Sequence, residues 1–232
     1  MRSTASDETD DPPPNASPAA HQAASCVLYL DAACLVADKP AGLLAVPGRG
    51  AHLQDCLAAR VLALHADALV VHRLDMATSG LMLFARGAEA QRRLSRAFER
   101  REVHKRYIAV VHGQIDHADG TIALPLMADW PRRPLQKVDL VHGKPSLTRY
   151  RVLAVDANTD TTRVELEPVT GRAHQLRVHL LALGHPIVGD ALYGPPADAL
   201  AAPRRMLLHA TRLVFPHPVT DTLTEVRSTP PF

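Results

Sequence analysis

Two short apolar runs, Ala68-Leu69-Val70-Val71 and Leu81-Met82-Leu83-Phe84-Ala85, bracket the polar segment from His72 to Gly80. Each run is too short for a helix of its own and is bounded by polar residues or glycine, so each reads as a buried strand. The segment between them is then a polar connection set into a core. It carries His72, Arg73 and Asp75 within four positions. Burying an unpaired charge costs on the order of several kcal/mol, so a fold that sets such groups at the edge of its core has a use for them.

The pattern continues on both sides. Residues 26–30 and 34–37 predict strands around an Asp31-Ala32-Ala33 turn, and Gly42, Pro47, Gly48 and Gly50 mark the next segment as a loop. Leu53, Leu57, Val61 and Leu64 recur at helical spacing and predict a helix over 53–64. A second helix is predicted over 88–101, with Leu94 and Phe98 inward. A third is predicted over 174–183, with Leu176, Leu180 and Leu183 on one face and Gly184 as its stop. Alternating or β-branched stretches predict strands at 107–111, 121–124, 148–155 and 162–167, and those at 206–209 and 211–215 close the sheet. The sum is an α+β (mixed α/β) domain over 25–232. Residues 1–24 are rich in Pro, Ser, Ala and Asp and lack periodicity, which predicts a disordered tail.

Composition narrows the class. A chain of 232 residues that is 47% hydrophobic has enough material for a sizeable core. No apolar run reaches bilayer length, so no membrane partner is expected. The N-terminus carries Asp7, Glu8, Asp10 and Asp11 in place of an apolar signal core. Cys26, Cys34 and Cys56 lack CxxC spacing and read as reduced small hydrophobes of a cytoplasmic protein. Net charge is only +2, yet residues 86–106 hold Arg92, Arg93, Arg96, Arg100, Arg101, Lys105 and Arg106 against Glu89, Glu99 and Glu102. Alone, that stretch is a solvated helix face. Its continuity with the polar segment makes it a candidate footprint for a polyanion.

Five ordered motifs resemble those of the RluA-type pseudouridine synthases. His72-Arg73-Leu74-Asp75 with Thr78-Ser79-Gly80 resembles the family's catalytic motif. Asp38-Lys39-Pro40-Ala41-Gly42-Leu43 resembles its N-terminal motif, and Lys105-Arg106-Tyr107-Ile108-Ala109 its tyrosine strand. The stretches from Gly171 to His179 and from Gly184 to Gly194 resemble its C-terminal signature. Four residues alone are weak support, but five motifs in order from about Val27 to Phe215 are strong. The resemblance implies one extended, largely antiparallel sheet flanked by helices, with a catalytic cleft across its middle. Many members carry an N-terminal RNA-binding domain, for which the tail is too short and too polar, so a catalytic domain alone is expected: a cofactor-free, monomeric enzyme that isomerises uridine to pseudouridine in RNA. The segment Asp129-Trp130-Pro131-Arg132-Arg133-Pro134 extends the likeness to members that act on stem-loops, a 23S rRNA uridine and an anticodon-arm tRNA uridine.

On the residues alone, Asp75 is a turn or capping residue, Arg177 a surface arginine and Tyr107 a core tyrosine. The resemblance makes all three catalytic. An ionised carboxylate at Asp75 serves as a nucleophile that does not leave with the base. Arg177 lies against it and favours the charged form, and deleting Asp75 is then expected to leave Arg177 buried and unpaired. Tyr107 stacks near the base and is placed to move a proton, for which a phenol is suited only if its environment lowers its pKa. Arg73 either fills the space of a flipped base or clamps a phosphate, and His72 orients the same loop on the RNA-facing side. Arg92, Arg93, Arg96, Arg132 and Arg133 are expected to meet RNA phosphates. Of 13 histidines, His174 and His179 are five apart and share no helix face, so no metal site is expected. The competing readings are a non-catalytic RNA-binding or ribosome-assembly protein on the same fold, and a metal-dependent hydrolase.

Overall fold

In the computed structural model, residues 26–195 and 205–232 are described; the predicted tail lies outside them. Twelve strands are assigned among these residues: β1 (Val27–Leu30), β2 (Cys34–Lys39), β3 (Ala68–Val70), β4 (Ser79–Arg86), β5 (His104–His112), β6 (Asp119–Ile122), β7 (Leu126–Ala128), β8 (Gln136–Val138), β9 (Thr148–Asp156), β10 (Thr161–Pro168), β11 (Leu208–Pro216) and β12 (Leu223–Arg227). Three helices accompany them: α1 (Leu57–Leu64), α2 (Ala88–Glu99) and α3 (Gln175–Ala182).

Ten strands form one sheet in the order β1-β2-β4-β11-β5-β10-β9-β6, with β3 also paired to β4 and β12 to β11; β7 and β8 form a separate ribbon. Every pairing in the large sheet is antiparallel except β4 with β11. That parallel contact is short: His209 faces Ser79 and Ala210 faces Gly80. Gly80 has φ +110, and a Cβ there would lie 2.3 Å from the Ala210 carbonyl oxygen, so only glycine fits. Beside it runs a chain of hydrogen bonds whose donors all point one way. Arg205 donates to Ser79 Oγ (2.5 Å), and Ser79 lies 2.9 Å from His209 Nδ1. His209 Nε2 meets Ser228 Oγ at 2.9 Å, and Ser228 donates to Asp38. Groups from β4, β11, the C-terminus and β2 are thus locked across the join.

β4 is buried on both faces, as its unbroken apolar run predicts. Leu81, Leu83 and Ala85 pack with Ala90, Leu94 and Ala97 of α2, while Met82 and Phe84 pack with Leu57 and Val61 of α1. On the other side of the join, Leu176 and Leu180 of α3 cover β5, β9 and β10 through Tyr107, Ala109, Tyr150 and Leu166.

Several boundaries differ from the pattern. The first helix starts at Leu57, not Leu53, because residues 51–53 form a separate 3-10 turn and Cys56 caps the helix, its Sγ accepting from the Ala59 N–H at 3.3 Å. Thr121–Leu124 shifts to Asp119–Ile122. The strands expected at 206–209 and 211–215 are one strand with an irregularity between Ala210 and Arg212, where the Thr211 hydroxyl bonds the Ser228 carbonyl. β12 and the β7–β8 ribbon are additions. β12 is an edge strand with only Val226 buried, and so it carries no clear alternation.

Candidate active site

The segment between β3 and β4 opens into a cleft of about 300 Å³, lined among others by His72, Arg73, Asp75, Thr78, Lys105, Tyr107, Arg172, His174 and Arg177. It lies at the join of the two halves of the sheet, where Thr78 leads into β4 and Leu208 into β11.

Backbone contacts fix Asp75. The Thr78 N–H donates to its carbonyl (3.1 Å), and the Met76 carbonyl next to it accepts from the Gly42 N–H at 2.8 Å. Lys39 completes this anchor. Its side chain is fully buried, and Nζ donates to the carbonyls of Met76 (3.0 Å), Leu43 (2.7 Å) and Pro40 (2.9 Å). Burial pushes its pKa down to about 8, with Asp75 acting in the opposite sense.

Arg177 comes from α3, whose entry is tied down by Gln175. The Gln175 Oε1 accepts from Thr170 Oγ1 (2.7 Å) and the Arg172 N–H (3.0 Å), and its amide donates to the Leu147 carbonyl and Thr148 Oγ1, both at 3.0 Å. Arg177 does not belong chiefly to Asp75. Its Nε and Nη2 grip both carboxylate oxygens of Asp190 at 2.7 and 2.6 Å, leaving Nη1 at 3.5 Å from Asp75 Oδ2. The Asp190 side chain is completely buried. The expectation that Arg177 depends on Asp75 as its partner is therefore corrected: a bidentate pair holds the guanidinium, and Asp75 receives its remaining edge.

His174 is the second neighbour of the Asp75 carboxylate, its Nε2 3.9 Å from Oδ2. It caps α3 in a left-handed conformation with φ 53. Tyr193 Oη lies 2.8 Å from its Nδ1 and accepts the Gln136 N–H at 2.8 Å. The Tyr193 hydroxyl finds an acceptor when it donates to Nδ1, which places the imidazole proton on Nε2, toward Asp75. Burial lowers the His174 pKa, against the pull of Asp75.

Tyr107 forms the inner wall. Burial, and next the charge of Asp75, raise its phenol far above the ordinary value, so the hydroxyl keeps its proton. His72 lines the cleft, but its Nε2 accepts the Leu83 N–H (2.9 Å) and its ring stacks on Phe98 at 4.7 Å. Burial pushes its pKa down to about 3. Arg73 is exposed at the mouth and makes no hydrogen bond or ion pair with the described residues. Lys105 also lines the cleft, and burial lowers its pKa.

The other predicted RNA contacts lie elsewhere. Arg92, Arg93 and Arg96 line a separate concavity with Pro216, His217 and Asp221, and share no lining residue with the cleft. Arg92 and Arg93 are paired to Glu89, and Arg93 also donates to the Pro218 carbonyl. Continuity in sequence did not put them at the site, because α2 turns those side chains away from the face that carries Phe98. Arg132 and Arg133 sit at the end of the ribbon. His174, Asp190 and Lys39 were missed as site residues. Asp190 and Lys39 lie inside quoted motifs, but a fully buried charge is visible only once its partners are.

A carboxylate, a guanidinium and a tyrosine thus converge at the join of an extended mixed sheet. Residues 33–182 match the RNA pseudouridylate synthase family, and the chain belongs to it. It is 46% identical over 206 residues to the dual-specificity RNA pseudouridine synthase RluA of Pasteurella multocida, covering 89% of this chain and 93% of the relative. Its counterpart of the same name in Escherichia coli strain K12 is 49% identical over 192 residues, 83% of this chain and 87% of that one. Among solved structures, human RNA pseudouridylate synthase domain containing 1 superposes with a TM-score of 0.74 at 32% identity, over 89% of this chain and 83% of that one. Human RNA pseudouridylate synthase domain containing 4 shares the fold, with a TM-score of 0.72 at 24% identity and 92% of each chain covered. The protein is an RNA pseudouridine synthase, an isomerase.

Proposed function

We propose that the enzyme acts in the cytoplasm as a monomer, without cofactor, on two stem-loop RNAs: a 23S rRNA uridine and an anticodon-arm tRNA uridine. The relatives' name carries the dual specificity, and the cleft carries the chemistry. The observation that weighs most is Asp75, part-buried and flanked by Arg177 Nη1 and His174 Nε2 on one oxygen.

In this reading Asp75 attacks the base–sugar system as a carboxylate nucleophile. The N1–C1′ bond breaks, the base turns, and a C5–C1′ bond forms. The proton on C5 leaves and N1 gains one, so atoms balance and no redox partner is needed. Arg177 and His174 aim the carboxylate, and Arg73 enters the stack vacated by the flipped uridine. Tyr107 flanks the base. Its phenol is held protonated partly by the Asp75 charge. The bond to Asp75 then breaks, which returns the free carboxylate for the next turnover.

The test is chemical mapping of pseudouridine across ribosomal and transfer RNA from cells with and without the gene. Loss of one site in each RNA class is the expected result. Identical maps overturn the reading, and loss in a single class overturns the dual specificity.

A further inference from the structure

The chain's one tryptophan, Trp130, is 63% exposed. It opens a 3-10 turn, Trp130–Arg132, between β7 and β8. The guanidinium carbon of Arg133 lies 3.3 Å from its ring centroid, and Arg133 is itself exposed. One face of the indole is thus covered by a flat cation, and the exposure that remains is its other face and edge. The turn has a firm base. Asp129 is buried and holds Arg132 Nε at 2.7 Å, the Asp129 N–H donates to the Leu135 carbonyl (2.9 Å), and the Leu135 N–H returns to the Arg132 carbonyl (3.0 Å).

A solvent-facing tryptophan costs hydration free energy, and the surroundings say what would relieve it. Its neighbours are Pro131, Arg132, Arg133 and Pro134, not aliphatic residues. A planar aromatic–guanidinium pair beside a second cation matches a flat, polarizable group on an anionic backbone. That is an unpaired nucleotide, whereas an apolar protein partner would meet the charges of Arg132 and Arg133. The ribbon is also mechanically part of the cleft. Leu135 and Val138 pack on Val178 and Tyr193, and the Gln136 N–H bonds the same Tyr193 oxygen that holds His174.

We propose that Trp130 and Arg133 form a stacking platform for one unpaired base of the substrate RNA, other than the target uridine. This rests on the stem-loop reading above. It also changes the part expected of Arg133, from a phosphate contact to a planar stacking partner.

Because Trp130 is the sole tryptophan, its fluorescence reports this site alone. The full-length protein is titrated with a stem-loop RNA bearing the target uridine, and then with copies carrying an abasic residue at each loop position in turn. Binding is followed separately by anisotropy of end-labelled RNA, and pseudouridine is measured on every sample. The expected result is strong quenching at saturation that disappears for one abasic position outside the target. Trp130→Ala should bind intact RNA about tenfold more weakly and should no longer distinguish that abasic RNA. The loss should be the same at low and high salt, since stacking releases no counterions. Trp130→Phe should recover most of the affinity. Arg133→Lys, which keeps the charge and loses the plane, should behave like Trp130→Ala. Saturating RNA binding without quenching, or full affinity in Trp130→Ala, overturns the proposal and leaves a protein as the platform's partner. If no RNA is isomerised by the wild type, the stem-loop reading fails, while quenching still decides the platform.

Discussion

Arg177 holds Asp190 with two nitrogens, at 2.7 and 2.6 Å, and offers Asp75 only the third, at 3.5 Å. The pair is buried, and the Asp190 carboxylate also accepts the N–H groups of Leu192 (2.9 Å) and Tyr193 (3.1 Å). The guanidinium therefore exists as an oriented donor before any substrate or nucleophile is considered.

Asp75 is consequently separable from stability. Asp75→Ala leaves Arg177 paired, so both Asp75→Ala and Asp75→Asn should remain folded, within about 1 kcal/mol of wild type. Both should bind substrate RNA within about tenfold, roughly 1.4 kcal/mol, and form no pseudouridine. Urea unfolding, an RNA titration and a pseudouridine assay on one preparation check this, with reversion of Asn to Asp excluded by mass spectrometry. Turnover by either variant would remove Asp75 as nucleophile.

Asp190 should behave in the opposite way. Asp190→Ala orphans a buried guanidinium and two backbone donors, and should cost about 3–5 kcal/mol. Denaturant melts measure it. A variant as stable as wild type would show that Asp75 can replace Asp190 as the partner.

Tyr193→Phe removes the hydroxyl that sets the His174 tautomer. The lost hydrogen bonds should cost about 1 kcal/mol. With the imidazole proton free to sit on either nitrogen, kcat should fall several-fold while KM changes little. Steady-state kinetics separate the two, and a change confined to KM would argue that His174 contacts RNA instead.

Arg73 has no partner among the described residues to lose. Arg73→Ala should leave the melting temperature unchanged and reduce turnover on a folded stem-loop far more than on an RNA whose target uridine is already unstacked. Equal losses on both substrates would assign it to a phosphate.

Acid should weaken the fold through His72. Its folded pKa, pushed down to about 3 from the ordinary 6.5, means that the unfolded chain takes up a proton first. The stability it contributes is complete above pH 6.5 and is lost as pH falls toward 3. At pH 5 the loss should be on the order of 2 kcal/mol, and His72→Asn should flatten that limb. Unfolding free energies at pH 7 and pH 5 in both proteins give the comparison.

The sequence made much of this legible. The unbroken apolar run of β4 announced a strand buried on both faces, and the polar segment before it announced the cleft. Pairing was harder to see. Nothing in the spacing of Asp75, Arg177 and Asp190 says which carboxylate takes the guanidinium fork, because that depends on how α3 and the following turn meet. The same limit applies to residues 86–106. Their charge is plain in the sequence, but which way α2 turns its arginines is decided by Leu94 and Ala97 packing beneath it.

The two-residue contact between β4 and β11 also sets a time order. β11 lies between β4 and β5 in the sheet, yet it follows both in the chain, about 130 residues after Ser79. While the chain is still being synthesised, Asp75, Tyr107 and Arg177 can all be present with no strand to bring the two halves together. Non-local closure of this kind is slow and comes late. The nascent chain thus passes most of its synthesis without a closed cleft, which is completed only once β11 has docked between β4 and β5.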